Sequence, residues 1–580
     1  MSERSGRTPL SWAAGEGHAE VVMLLLGRVG IDPNKVDRHG RTPFSWAARK
    51  GRDEVVKLLL GQEGVDPNAA DTDGRTPLLS AAIGGHEGVM KLLLGCQSVN
   101  PNATDIIGRT PLSWAVTSGN DEVVQLLLRC EDVDPNITNN VGRTPFSLAA
   151  GEGHDEVVKL LLGQEGVNPN TADTNGRTPL SWAAEEGRDE VVMLLLGNEG
   201  VRPNIADIDD LTPLFWAARS GRDGVVKLLL ECQNVDRNAT DIVGRTPLSW
   251  AVTSHNHEVV QLLLRDGDVS PDITDNLGRT PLMWASENGD VRVVKLLLER
   301  EDIDPDIQDY YGQTTLASAV RGQRHRVVKL LLRCQNVNPN ATDIVGRTPL
   351  SWAAGIGHFP TAQVLLECED VNPNIPDDSG RTPLFWAAWS GHYLVVELLL
   401  ELEDINPNLA NHSGNTPLSW AAEHGYYQVV KLLLEREDVN PDLANPSGDT
   451  PLLRAAEHGY SFIVKLLLER EDVNPDLANH SGDTPLLRAV KVGFDGVVEM
   501  LLRCKNANPN KTDRFGRTPI SWAVTSGNDK VVQLLLGLEA VDTNIADDDS
   551  RTPLWWASFV GNERLMKLLQ ARQSANLNVV

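Results

Sequence analysis

The sequence predicts an all-α array in which short helix pairs, each followed by a hairpin turn, stack on one another along the chain. Three observations predict it. A Thr-Pro-Leu step at Thr8 returns at Thr42, at Thr76 and at every 34th residue to Thr552, giving 17 units without an insertion or deletion. The last residue of every unit is Asn or Asp, from Asn34 and Asn68 through to Asn578. The chain has 580 residues, far more than the roughly 150 of one compact domain, and self-similarity at a fixed period marks a repeat architecture. The units run 1–34, 35–68, 69–102, 103–136, 137–170, 171–204, 205–238, 239–272, 273–306, 307–340, 341–374, 375–408, 409–442, 443–476, 477–510, 511–544 and 545–578, which predicts one array over 1–580.

The second unit, Lys35 to Asn68, shows why each element forms. Asp37 and Gly40 make a turn, Gly supplying the left-handed backbone. Thr42 is an N-cap whose hydroxyl can accept a backbone N–H. Pro43 follows at the first helical position, where its missing N–H costs nothing. Phe44, Ala47 and Ala48 share one face of a short helix, and Gly51 ends it. A second helix carries Val55, Val56, Leu58, Leu59 and Leu60, with Lys57 outward. The segment Val65-Asp66-Pro67-Asn68 leads into the next turn. One such pair cannot bury its own apolar face, so neighbours must stack. At about 8–10 Å per pair the array should be elongated, well over about 100 Å long, and curved.

These residues resemble the ankyrin-repeat family in the turn Asp and Gly, the Thr-Pro-Leu step, the Ala-Ala pair and the Val-Val-x-Leu-Leu-Leu helix. The resemblance covers essentially the whole chain, and the Ser-Trp-Ala-Ala wording looks like fungal arrays of that family. Two departures stand out. The family length is 33, so one extra residue falls between the second helix and the next hairpin. The family's His after Thr-Pro-Leu is absent from every unit and is usually replaced by Ser (Ser11, Ser45, Ser113, Ser181). That His ties helix to turn, so its loss predicts altered rigidity. The resemblance implies an ankyrin-repeat solenoid that binds macromolecules through hairpin tips and the exposed face of the first helix.

Composition narrows the function. The net charge of −27 repels phosphate backbones and anionic lipid, so the expected partner is a protein, with no direct nucleic-acid and no membrane binding. The N-terminus shows no secretory apolar run, and no stretch approaches the roughly 20 apolar residues of a membrane helix. Cys96, Cys130, Cys232, Cys334, Cys368 and Cys504 recur at one place in the repeat. They are expected about 8–10 Å apart, beyond disulfide reach, as free thiols of a reducing compartment, cytoplasm or nucleus.

No constellation of catalytic residues converges, so the sequence predicts no enzyme, cofactor or metal. His255 and His257 flank Asn256 without further ligands. Asp438-x-Asn440-x-Asp442 mimics calcium-loop spacing, but Leu443 stands where that loop needs Gly.

Comparison of the units with one another isolates the candidate partner-binding residues. Trp occupies the fifth position from the Thr in 12 units, among them Trp12, Trp46, Trp386 and Trp420, facing away from the Leu and Ala-Ala side. It reads either as an aromatic ladder for a partner or as rings packing across units. Arg precedes the Thr in 12 units and reads as a solvated face. Asn415, Asp449 and Asp483 replace it in three successive units, predicting a locally acidic surface. All six tyrosines lie between 310 and 460. Tyr310 and Tyr311 occupy a hairpin tip. The inter-helix turn, polar elsewhere, carries Phe359, Tyr393, Tyr426, Tyr427, Tyr460 and Phe494 in units 11 to 15. These rings form either a partner site or a substitute for the turn His in packing between repeats. In unit 10, Thr315 replaces Pro and Gln323 replaces Gly. There Arg321, Arg324, His325 and Arg326 are expected beside the tip tyrosines as a basic, aromatic patch for an acidic peptide, with decay after duplication the other reading. Trp389, one turn from Trp386 and Phe385, adds an aromatic cluster.

The function expected is a non-enzymatic scaffold or adaptor, with units 10 to 15 as the recognition surface. Family resemblance adds regulation, including co-regulation of transcription. The alternative is a sensor or receptor arm separated from a nucleotide-binding or other effector domain, because the chain begins inside a repeat and neither end shows a polar capping unit. Uncapped ends would also permit oligomerisation.

Overall fold

A computed structural model describes residues 5–577. Among the described residues the chain forms 34 helices and no strand. It divides into two compact units. One comprises residues up to Trp284 together with Lys295–Ile303, and the other comprises Ala285–Val294 together with the residues from Asp304 onward.

Each repeat follows one local logic. In repeat 2 the first helix is Pro43–Arg49 and the second Asp53–Leu60. Thr42 sits in extended backbone, and its Oγ1 accepts the N–H of Ser45 at 3.1 Å. Thr42 Oγ1 and Ser45 Oγ lie 3.0 Å apart, and Ser45 is 2% exposed. This buried Thr–Ser pair recurs at Thr110–Ser113, Thr178–Ser181 and Thr518–Ser521. The helix start is therefore tied through a hydroxyl pair, where the resemblance led one to expect His. Phe44, Ala47, Ala48, Val55, Val56 and Leu59 are fully buried, and burial of such side chains contributes about 1.5–3 kcal/mol for each large one.

Two hydrogen-bond ladders join successive repeats. At the hairpin tips an N–H of one repeat donates to a carbonyl of the one before, as from Thr72 to His39 (2.9 Å) and from Ile344 to Tyr311 (3.0 Å). At the end of most units an Asn side chain clamps the next repeat. Asn68 Nδ2 donates to the Ser98 carbonyl (2.6 Å), and its Oδ1 accepts from Asn100 N–H (2.8 Å). Asn374 does the same with Asp404 and Asn406. This two-point clamp is the physical reason for the invariant Asn or Asp. Where the residue is Asp, as at Asp306 and Asp442, it can only accept.

The inter-helix turn uses left-handed backbone, with Gly51 at φ +66°. Repeat 10 puts Gln323 there at φ +60°, a conformation costing a non-glycine residue about 1 kcal/mol or more. Its first helix (Thr315–Arg321) forms without the Pro, Thr314 serving as N-cap. The six cysteines are free. No helix among the described residues is long and apolar enough to cross a membrane.

Candidate functional site

The first-helix face is built around the turn carboxylate. Asp37 Oδ1 accepts the N–H groups of His39 and Arg41, which closes the hairpin, while Oδ2 accepts the Trp46 indole N–H at 3.0 Å. Among the described residues the same indole–carboxylate bond, between 2.8 and 3.1 Å, occurs in ten repeats. The Arg before the Thr lies over the ring. Arg177 stands 3.7 Å from the centroid of Trp182 and 3.8 Å from that of Trp216, so one guanidinium joins two repeats. The rings are thus bridged by arginines rather than packed ring on ring, and the Arg row is a stacked structural element instead of a solvated face.

Repeats 14 and 15 reverse this pair. Asp449 and Asp483 take the Arg position, and Arg454 and Arg488 take the Trp position. The pairs meet at 3.1 and 3.4 Å. Arg454 also reaches Glu423 and Glu457, and Lys491 bonds Asp483 and Asp513. The acidity expected there is answered by these cations. The hairpin residue there is Asn445 or Asn479 rather than Asp, and no indole calls on a second carboxylate oxygen.

Between these regimes lies an aromatic column. Trp389 stacks on Trp420 (centroids 4.0 Å, interplanar 10°), Trp420 on His424 (4.2 Å, 20°), and His424 approaches Tyr426 (6.2 Å). Trp386 lies 5.8 Å from Trp389. The cluster expected at Trp386 and Trp389 therefore continues to the inter-helix turn of repeat 13. Trp420 keeps its ring although Asn411 replaces the turn Asp, and its buried indole N–H has no hydrogen-bond partner.

At the inter-helix turn the aromatic residues fall into two classes. Tyr426, Tyr460 and Phe494 precede the second helix. Their rings lie over the left-handed Gly of the preceding repeat, so closely that a Cβ on Gly391, Gly425 or Gly459 would come within 2.9, 2.7 and 2.7 Å. His392 covers Gly357 and Arg324 covers Gly289 in the same way. These rings do substitute for the turn His in packing. Tyr393 and Tyr427 are the first residues of the following helices, and they are 46% and 39% exposed. Leu394 and Phe462, one position further, are 46% and 75% exposed. Tyr427, Tyr460, Phe462 and Ile463 line a groove of about 580 Å³ with Gly425 and Gly459.

Exposed rings at these positions run against helix physics. The second helices of repeats 2, 4, 5 and 6 begin Asp-Glu, which favours the positive helix N-terminus by about 0.3–1 kcal/mol per acid. In repeats 10 to 14 none of the second helices carries an acid in its first turn. Acids return at Asp495 and Asp529. The second helix of repeat 9, Val291–Leu298, lacks one too, so six consecutive helix starts forgo a stabilising charge.

The remaining candidates are not all brought together. Tyr310 and Tyr311 are exposed at the hairpin tip, where the first helix begins. Arg324 lies at its far end, about 10 Å along a seven-residue helix, and donates from Nε to the Glu287 carbonyl. Arg321 turns back to bond Gln313. Arg324 is therefore apart from the tip tyrosines, while Arg321 reaches back to Gln313, two positions from Tyr311. In the calcium-like loop, Asp438 is held at two points by Arg436, and Asp442 accepts from Asn474 N–H. Sequence reasoning missed Leu394, Phe462 and the stacking of Trp420 and His424. The loss of first-turn acids was the available signal for the first two.

A sequence profile described as ankyrin repeats (3 copies) matches residues 1–71, 60–139, 123–207, 196–275, 267–343, 324–411, 418–513 and 486–580, and another, ankyrin repeats (many copies), matches 390–434. None of the curated proteins compared matches the chain. Among solved structures, the chain is similar to the ankyrin repeat domain of Bcl-3, titled a unique member of the IkappaB protein family. The two are 28% identical, over 39% of this chain and 99% of that one, with a TM-score of 0.36.

Proposed function

We propose, from the premise that this chain belongs to the ankyrin-repeat family, that it is a non-catalytic scaffold holding a protein partner on the inter-helix turn edge of repeats 11 to 14. Ankyrin repeats are protein-interaction modules. The observation that carries the location is the run of exposed Tyr393, Leu394, Tyr427 and Phe462 at helix starts where other repeats place acids. Aromatic side chains are enriched among the residues that dominate binding energy. The neighbouring Trp386–Trp389–Trp420–His424 column supplies a rigid aromatic floor beside them. Tyr426 and Tyr460 support this edge by packing.

The test returns the edge to the residues of the other repeats: Tyr393→Asp, Leu394→Glu, Tyr427→Asp and Phe462→Glu in one full-length variant. Each change adds a favourable charge at a helix start, so circular dichroism is expected to show an intact fold. Pull-down from source lysate should capture a protein with the wild-type chain and lose it with the variant. Equal capture by both would remove the edge as the partner site.

A further inference from the structure

Resting on that reading of the edge, we infer that its partner is an extended peptide segment carrying carboxylates at one end and apolar side chains at the other. The edge has chemical polarity. At repeats 9 and 10 it carries Arg292, Arg324 and Arg326 against Glu287 and Asp290, with His325 beside them. Arg324, His325 and Arg326 are all exposed. His325 and His358 lie with ring centroids 6.4 Å apart, which places the basic end directly against the start of repeat 11. From there large apolar side chains dominate, with Phe359 half-buried and Tyr393, Leu394, Tyr427 and Phe462 exposed. A basic end is conspicuous on a chain of net charge −27. It attracts carboxylates, while the surrounding negative field repels a wholly acidic ligand, so the acids must be confined to one end of the ligand.

Geometry sets the length. Four repeat steps of about 8–10 Å span about 32–40 Å, which an extended chain covers in about 10–12 residues at about 3.3 Å each. The groove between Tyr427 and Phe462 takes the apolar end. Arg324 is fixed by its bond to the Glu287 carbonyl, which holds its guanidinium in place for a carboxylate.

The experiment selects a displayed random 12-residue peptide library on the full chain. The binders are then measured by fluorescence anisotropy against three proteins. These are the wild type, the apolar-edge variant above, and a basic-edge variant with His325→Asp and Arg326→Glu. That second variant also restores first-turn acids and is expected to fold. The expected result is enrichment of peptides with Asp or Glu clustered at one end and aliphatic or aromatic residues at the other. Their affinity should fall about tenfold or more with either variant and weaken as salt is raised. Binders lost with the apolar-edge variant but indifferent to the basic-edge variant and to salt would overturn the inference and leave the edge reading intact. Binders indifferent to both variants would overturn both. Association with phosphatidylserine vesicles, without polarity among selected peptides, would replace the peptide with a membrane surface.

Discussion

The indole N–H of Trp386 donates to Oδ2 of Asp377 at 3.1 Å, while Oδ1 of the same carboxylate closes the hairpin through Ser379 and Arg381 N–H groups. One carboxylate thus fixes a turn and orients a ring nine residues later. The contact is absent in repeat 13, where Asn411 offers its one oxygen to Ser413 and Asn415 N–H and the Trp420 N–H has no partner. Asn411→Asp is therefore expected to stabilise repeat 13 by about 1 kcal/mol, the usual net value of one hydrogen bond. Because long arrays do not unfold in two states, the readout is slower hydrogen exchange of repeat 13 amides at neutral pH. Unchanged exchange would refute the pairing rule.

The pH dependence of this array has two opposing components. Burial raises the Asp37 carboxyl, but hydrogen bonds from Arg41 and His39 N–H and from the Trp46 indole outweigh it and hold Asp37 below its ordinary value. Its contribution is present above the unfolded value of about 3.9 and is lost as pH falls through the folded value. Asp442 behaves oppositely. Desolvation raises it against one backbone N–H from Asn474, and its Oδ1 is buried without a partner, where Asn408 would place an amide donor. Its contribution is full below about 3.9 and is lost as pH rises through its elevated folded value. Asp442→Asn should complete the clamp to the Asp472 carbonyl. At pH 7 it is expected to stabilise the junction of repeats 13 and 14 by about 1 kcal/mol, with the gain shrinking toward pH 4. A gain independent of pH would sink this account.

The reversed pair of repeats 14 and 15 gives a coupled prediction. Asp449→Arg alone would set two guanidinium groups together where Arg454 now meets a carboxylate at 3.1 Å, and is expected to destabilise by about 1–2 kcal/mol. Adding Arg454→Trp and Asn445→Asp rebuilds the arrangement of the other repeats and should recover most of that loss. Urea-dependent exchange of the single and triple variants measures the recovery, and strict additivity of the three changes would show that the residues do not act as a unit.

The repeat frame was fully legible in the sequence, because Thr42, Pro43, Ala47, Ala48 and Val56 each have one local job that period and residue type reveal. The site was half legible. Crowding of aromatics into units 11 to 15 was visible, but Tyr426 and Tyr427 are adjacent in sequence and face different environments, one on Gly391 and the other toward solvent. Composition cannot separate them. The Arg row was misread as solvated because its partner, the Trp of its own or the next repeat, lies 5 or 39 residues away, as for Arg177 with Trp182 and Trp216.

That distinction between neighbouring rings yields the sharpest prediction. Tyr460 packs on Gly425 as His392 packs on Gly357, so Tyr460→His should fold with little loss of stability and keep partner capture. Gly425→Ala should destabilise repeat 13 by about 1–3 kcal/mol. Its φ is +80°, and the added Cβ would meet the Tyr460 ring at 2.7 Å. Phe462→Glu is expected to leave stability unchanged or slightly improved, since the side chain is 75% exposed at a helix start that favours acid, yet to lose capture. Thermal unfolding and pull-down on the same three variants test this together. If Phe462→Glu loses stability, its ring is part of the packing, and exposure at this edge does not mark a partner site.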